Sequence, residues 1–346
     1  MTDAICLGEA MAMVTPPPGE CLADCDALSL SIGGAEANVA LGLSSLGVST
    51  AWASRLGDDA FGERIRRTLQ DGGVDGSCIE HDPRRHTGLY AKDPAARAAD
   101  RMLYYRAGSA ASAMGPDFLR TGRLPGLLES ARLIHTSGIT PALSAECFAM
   151  TEELLSRRPG EALVSFDVNW RPALWEGREA ADLARLADRA DVVLVGRDEA
   201  EAAFDVHDEH QLRELLPSPR LLVIKDEAVG AVALEADGAR TRVPSLTVDV
   251  VESVGAGDAF AAGYLAELLR GGDQRRALRS GHLCAAATLT VPTDRGPLPA
   301  TETAAAALAS SEAAWRAVRA SAEGLQLPHR PLRPDHEPPR RDGSRS

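Results

Sequence analysis

The sequence predicts an α/β fold: a doubly wound, mostly parallel sheet with helices on both faces and a small β-sheet lid. Short apolar runs alternate with helical patterns along most of the chain, which is the mark of βαβ units. Two insertions, 11–32 and 86–106, break that rhythm with short, turn-rich, strand-like stretches. A length of 346 residues suits one large α/β domain with such an appendage.

Taken in order, AICLG (4–8) reads as a strand, 36–47 as a helix, STAWASRLG (49–57) as a strand, 61–73 as a helix, and 76–81 as a further strand. The insertions supply a lid over the C-terminal edge of the sheet, where ligands of open α/β sheets bind. The alternation resumes with ARLIHTSG (131–138), a helix over 144–157, ALVSFDVN (162–169), a helix over 178–189, and DVVLVG (191–196). Two short helices then precede RLLVIK (220–225). Leu246, Val248 and Val250 alternate as a half-buried strand, and Phe260, Tyr264, Leu265, Leu268 and Leu269 recur at helical spacing before the stop at Gly271 and Gly272. Helices are expected over 275–291 and 301–320. The folded body is therefore read as 1–325, and 326–346, rich in Pro and Arg with few apolar residues, as a disordered tail.

A formal charge of −13 and a pI near 5.1 argue against a sequence-independent grip on nucleic acid or an anionic membrane, both of which need a basic face. No stretch approaches the roughly 18 apolar residues of a span, and MTDAICLGEA runs straight into a strand pattern, so a cytoplasmic location is expected. Cysteines at 6, 21, 25, 78, 147 and 284 lack the spacing of a zinc site and read as reduced, mostly buried thiols. His207 and His210 in HDEH read as a solvated helix start, and no structural metal is assigned. Lys92 and Lys225 are the only lysines in an arginine-rich chain, which makes both candidates for chemistry, with chance as the alternative for so few residues.

The segment Glu252-Ser-Val-Gly-Ala-Gly-Asp258 lies at a strand-to-helix turn. Backbone N–H groups at a helix start carry the positive end of the dipole, and Gly255, Ala256 and Gly257 leave room for phosphate oxygens to reach them. Asp258, in the first turn, is placed to take a proton from an alcohol attacking a bound phosphate. A dinucleotide fingerprint would need a third glycine where Phe260 stands, and a P-loop needs Gly-Lys-Ser or Gly-Lys-Thr, which is absent from the sequence. For GAGD alone, an ordinary capped turn is the alternative.

With Gly33-Gly34 followed by AEANVALGLSSLG, the GAGD turn resembles the PfkB, or ribokinase-like, sugar kinase family. TGLY (87–90), YYRAGSAAS (104–112), SGITPALS (137–144) and FDVNWRPALW (166–175) resemble its 2-keto-3-deoxygluconate kinase branch, the likeness covering about 4–300. The resemblance implies a ribokinase-like fold and substrate contacts at Gly34, Asn38, Tyr90, Tyr104, Arg106, Arg171 and Asp294. It further implies ATP contacts at Asn169, Lys225, Gly230, Gly255 and Gly257, and a Mg²⁺ role for Glu199, which stands for the glutamate of the family's NxxE motif. Local chemistry agrees: aromatic rings on a lid can cover a sugar acid, and a guanidinium can hold its carboxylate. A helix cap at Gly34 and Asn38, lid core at the tyrosines and a loop cap at Asp294 are the alternatives.

The sequence departs from the family pattern in four places. Glu252-Ser253 replaces an aspartate-led pair near a monovalent-cation site, so activity is expected to be largely independent of potassium. Gly196 replaces the NxxE asparagine, Glu227 a usual glycine, and DPAARAAD after Lys92 fits no lid pattern. The resemblance implies ATP-dependent, Mg²⁺-requiring phosphorylation of 2-keto-3-deoxygluconate at its 6-hydroxyl. An exposed lid edge, on its own account, favours a homodimer by strand pairing. A kinase for another sugar, such as fructose or ribose, and a non-catalytic sugar-acid or nucleotide sensor are the rivals.

Overall fold

The computed structural model of the chain describes residues 2–17, 19–93, 102–157 and 159–328. The strands are β1 (Ala4–Leu7), β2 (Met11–Thr15), β3 (Ser29–Gly33), β4 (Thr50–Gly57), β5 (Asp75–Asp82), β6 (Leu89–Lys92), β7 (Met102–Tyr105) and β8 (Leu133–Ser137). They continue with β9 (Leu163–Asp167), β10 (Val192–Gly196), β11 (Leu221–Asp226), β12 (Gly230–Glu235), β13 (Arg240–Val243), β14 (Thr247–Val248), β15 (Arg319–Ser321) and β16 (Gly324–Gln326). Nine of them form one sheet in the order β13-β12-β11-β10-β9-β8-β1-β4-β5, parallel from β11 to β5.

Successive residues of these strands point to opposite faces, and each face is covered. Cys6, Trp52, Leu194 and Val223 pack toward helices Ala35–Ser45, Ala256–Leu269 and Gln274–Leu289. Val193, Val195, Phe166 and Leu222 pack toward Ala180–Ala187, whereas Ile5, Leu7 and Ile134 pack toward Ala145–Arg157. The doubly wound expectation is met. The two insertions join as one sheet, β3-β2-β6-β7, as the lid reading requires.

One helix contact positions the site. A Cβ on Gly42 would stand 2.6 Å from the Ala262 methyl, so only a glycine there lets helix 35–45 lie this close to helix 256–269. Asn38 is one turn before Gly42 and Asp258 one turn before Ala262, so the same contact brings those two side chains face to face.

Three boundaries differ from the sequence reading. The strand expected from Leu246 to Val250 shortens to Thr247–Val248, because its partner β15 is only three residues long and Val250 and Val251 run beyond it into solvent. The helix expected over 301–320 divides into Thr301–Leu308 and Glu312–Arg316. Arg279 bonds the Leu308 and Ser310 carbonyls that the break leaves open, and Ser311 caps the second piece through the Ala314 amide. Gln326, assigned to the tail, instead pairs with Arg319 in β16, and Leu325 and Leu327 pack on the core. The tail from 329, and residues 94–101, which include all of DPAARAAD but Asp93, lie outside the described residues. The hairpin β12-β13, which the sequence reading left unassigned, extends the sheet by antiparallel pairing.

Ending the chain after Pro328 should leave the melting temperature within about a degree. Ending it after Glu323, which removes β16 and two core-packed leucines, should lower it by several degrees. Equal melting temperatures for the two truncations would show that β16 contributes nothing.

Candidate functional site

Most of the predicted residues converge where the C-terminal ends of the parallel strands meet the lid. Gly255 is the N-cap of helix 256–269 with φ 84°, and a Cβ there would lie 2.1 Å from the Asp294 carbonyl, so the turn requires glycine. The Ala256 N–H donates to the Ser253 carbonyl at 3.3 Å, whereas no hydrogen bond occupies the Gly257 amide among the described residues. A Cβ on Gly257 would sit 3.6 Å from Lys225 Nζ, which places an ammonium over the helix start. The turn therefore presents an amide, a helix dipole and a cation together, as an anion site needs.

Asp258 sits half-buried between two groups of residues. On one side Asn38 Nδ2 donates to its Oδ2 at 2.9 Å. On the other, Lys225 Nζ donates to Asp167 Oδ1 and Oδ2 at 3.1 and 2.9 Å. Loss of solvation pushes the Asp258 carboxyl up to about 7, with Asp167 and Glu36 adding repulsion and Asn38 and Lys225 opposing it. Burial alone would lower the Lys225 ammonium, but Asp167 and Glu199 hold it above its ordinary value.

The Lys225 side of Asp258 continues through Glu199. Its Oε2 accepts from the Gly196 amide at 2.8 Å, so the glycine at the family's asparagine position leaves the glutamate fixed by its own helix cap. Burial raises the Glu199 carboxyl, against the pull of Lys225. Asn169 adopts φ 42°, a rare conformation for a side-chain-bearing residue, and its Oδ1 is buried without a hydrogen-bond partner. Arg171 is half exposed, donates to the Trp170 carbonyl and lies 3.6 Å from Glu199 Oε1. Gly230 stands apart, opening β12 with φ 144°; a Cβ there would lie 2.4 Å from the Val243 carbonyl. Glu227 accepts φ 34°, so the turn into β12 is built without the usual glycine.

The lid-facing side is a buried polar cluster. Tyr90 Oη donates to Asp294 Oδ2 at 2.9 Å, and burial raises both groups. Tyr104 packs beside Tyr90 with ring centroids 5.8 Å apart, and the Arg106 guanidinium lies 5.6 Å from the Tyr104 centroid. Arg106 is ion-paired with Glu9, which also accepts from Ser109 Oγ. Gly34 lies against the Glu9 carbonyl with φ 151°. Arg106 and Arg171 thus engage different carboxylates, and no contact joins them among the described residues. Asn38 Oδ1, Arg106 Nε and Asp294 Oδ1 are buried without hydrogen-bond partners, a cost of about 1–3 kcal/mol each unless a ligand completes them.

Sequence reasoning missed Asp167, Glu9 and Glu36. Asp167 ends strand β9 and Glu9 follows β1 by two residues, at the C-terminal edge of the sheet, a position that could have marked them. Glu36 is fully buried in AEAN and accepts from Ser137 and Thr140, so its signal was only an acid in an apolar helix. A surface cavity of about 590 Å³, lined by Glu129, Arg132, Gly160 and Leu268, lies at the opposite end of the strands and contains none of the predicted residues.

Comparison with known proteins points to one family. A family model described as "pfkB family carbohydrate kinase" matches residues 1–301. The chain is 32% identical to a 2-dehydro-3-deoxygluconokinase of Bacillus subtilis, covering 89% of this chain and 96% of that one. It is 34% identical to a 2-dehydro-3-deoxygluconokinase of Thermoproteus tenax (86% and 92%) and 30% identical to maize fructokinase-1 (88% and 96%). Among solved structures, a PfkB protein from a Polaromonas species superposes with TM-score 0.74 at 33% identity (85% and 98%). An uncharacterized sugar kinase from Pyrococcus horikoshii in complex with ATP superposes with TM-score 0.72 at 25% identity (84% and 93%).

The raised Asp258 carboxyl predicts a pH-dependent penalty. Stability is lost as pH rises from the ordinary carboxylate range through about 7, because the unfolded state gives up this proton first. The melting temperature of Asp258→Asn relative to the unmodified protein should therefore increase between about pH 5 and pH 8. A difference independent of pH would place the Asp258 carboxyl at its ordinary value.

Proposed function

Because this chain belongs to the pfkB family of carbohydrate kinases, we propose that it transfers the γ-phosphoryl group of ATP to the 6-hydroxyl of 2-keto-3-deoxygluconate. The product is 2-keto-3-deoxy-6-phosphogluconate. The observation that carries the reading is the placement of Asp258 between a lid-side cluster of polar groups and the Lys225 cation at a helix start.

In this reading Asn38, Tyr90 and Asp294, with Gly34 beneath, hold the sugar hydroxyls. Arg106, with Tyr104 beside it, faces the carboxylate through donors that Glu9 leaves open. Arg171 reaches the same acid from the phosphate side. Asp258 accepts the hydroxyl proton as the oxygen forms its bond to the γ-phosphorus. The bond to the leaving ADP oxygen breaks and that oxygen keeps the electron pair. Lys225 and the amides of Gly255 to Gly257 face the charge that builds on the transferred group, while Asn169 and Gly230 border the nucleotide. Glu199 and Asp167 are the carboxylates that would hold a hydrated Mg²⁺ against the phosphates, a ligand set that suits this ion and would neutralise phosphate charge. Lid closure over the site limits water and hence ATP hydrolysis.

No described helix is long and apolar enough to cross a membrane, and we place the activity in the cytoplasm. The outer lid strand β7 exposes Leu103, Tyr104 and Tyr105, and we assign it to pairing with a second copy of the chain. A second reading, a kinase for fructose or another neutral sugar, draws on the Glu9 carboxylate that offsets Arg106 and on the fructokinase similarity.

Asp258→Asn should lower turnover by about 10²-fold to 10⁴-fold while ATP still binds, and kcat/KM of the unmodified enzyme should fall as pH drops below about 7, where Asp258 takes up its proton. Near-normal turnover by Asp258→Asn at saturating substrates would remove it from the role of base. Arg106→Ala should raise KM for the keto-acid at least about tenfold, roughly 1.4 kcal/mol if KM tracks affinity, with KM for ATP little changed. Efficient phosphorylation of fructose and poor use of the keto-acid would favour the second reading.

A further inference from the structure

Lys92 stands on lid strand β6, two residues from Tyr90, so both side chains leave the same face of the strand. Its side chain is only 6% exposed, an expensive place for an ammonium without opposing charge. Two carboxylates supply it: Glu252 Oε2 at 2.7 Å and Asp294 Oδ1 at 3.7 Å. The other Glu252 oxygen accepts from the Ser253 and Val254 amides at 2.8 and 3.2 Å, which sets the turn leading into Gly255. The Asp294 carbonyl lies against Gly255 from the other side. Strand β6 is thus tied to both segments that flank the helix start, through Lys92 to Glu252 and through Tyr90 to Asp294.

We propose that Lys92 is a positioning residue, a cation tethered to the lid whose pairing with Glu252 orders the turn 252–257 and so couples lid closure to the anion-binding amides in front of Asp258. The role rests on the kinase reading for its catalytic consequence but not for its structural one. With Lys92 in place, Glu252 has its counter-ion within the chain, and the turn needs none from solution. With Lys92 shortened, Glu252 remains as an anion at a partly buried position and the turn loosens.

The test compares the full-length protein with Lys92→Ala, Lys92→Arg, Glu252→Gln and the Lys92→Ala/Glu252→Gln pair. Amide hydrogen exchange of residues 253–257, measured without sugar or nucleotide, should quicken in Lys92→Ala, and ammonium ion should restore protection there but not in the double variant. Turnover of Lys92→Ala should fall at least about tenfold with KM for ATP little changed, and ammonium or potassium should recover part of it, whereas the unmodified enzyme should ignore both ions. Lys92→Arg, which keeps the charge, should retain most of the protection. If Lys92→Ala unfolds, Lys92→Met carries the same comparison. Faster exchange confined to 89–92, or a loss that neither cation relieves in either measurement, would overturn the proposal. An enzyme that phosphorylates no sugar would sink the kinase reading alone, leaving the exchange result to decide this one.

Discussion

The site depends on a single close approach between helices 35–45 and 256–269. Gly42 lies against Ala262, and one turn earlier Asn38 meets Asp258. With a Cβ at 42 the helices would have to move apart until it cleared the Ala262 methyl, stretching the hydrogen bond that aims the Asp258 carboxyl. The rest of the arrangement follows from where that contact puts the carboxyl. It stands at the head of a helix whose dipole favours anions, beside Lys225, yet crowded by Asp167 and Glu36 and short of water. Those opposing influences leave it near neutrality, where a carboxyl can both accept and release a proton in ordinary conditions.

Several groups around Asp258 are held in arrangements that folding alone would not favour. Asn169 keeps a left-handed backbone, Asn38 and Asp294 keep buried oxygens without hydrogen bonds, and Lys92 keeps a buried ammonium. The surrounding framework is conventional by contrast, with strand residues alternating between two apolar clusters and helix ends capped by Asp59, Asp208, Asp273 and Ser311. Strain concentrated at the ends of the strands, on a well-packed sheet, is the distribution expected of a site that ligands complete.

The central sheet was legible because each parallel strand is a continuous apolar run bounded by helix patterns, as in DVVLVG and RLLVIK. The lid was legible as an interruption, though not its strand order. Legibility failed where pairing partners decide the outcome: Thr247–Val248 is short because β15 is short, and Gln326 belongs to a strand because Arg319 lies beside it. In the site, the turn at Gly255 and the residues Asn38, Lys225 and Tyr90 could be found from motif and composition. Ion pairs over long sequence separations could not, which is why Glu9 beside Arg106 and Glu252 beside Lys92 emerge only in three dimensions. The first gives the Arg106 guanidinium, expected to face a substrate carboxylate, a carboxylate partner within the chain, and the second supplies the cation that the Glu252 substitution had left open.

The central claim is that the fold holds the Asp258 carboxyl near neutrality, and its direct measurement is a carbon-13 titration of the aspartate side-chain carboxyls. Comparison with Asp258→Asn assigns the resonance. We expect one carboxyl, absent from the variant, to titrate at about 7 in the ligand-free protein, and to move higher in Asn38→Ala, which removes the amide that favours the ionised form. A titration in the ordinary carboxylate range, unchanged by the loss of Asn38, would contradict the claim.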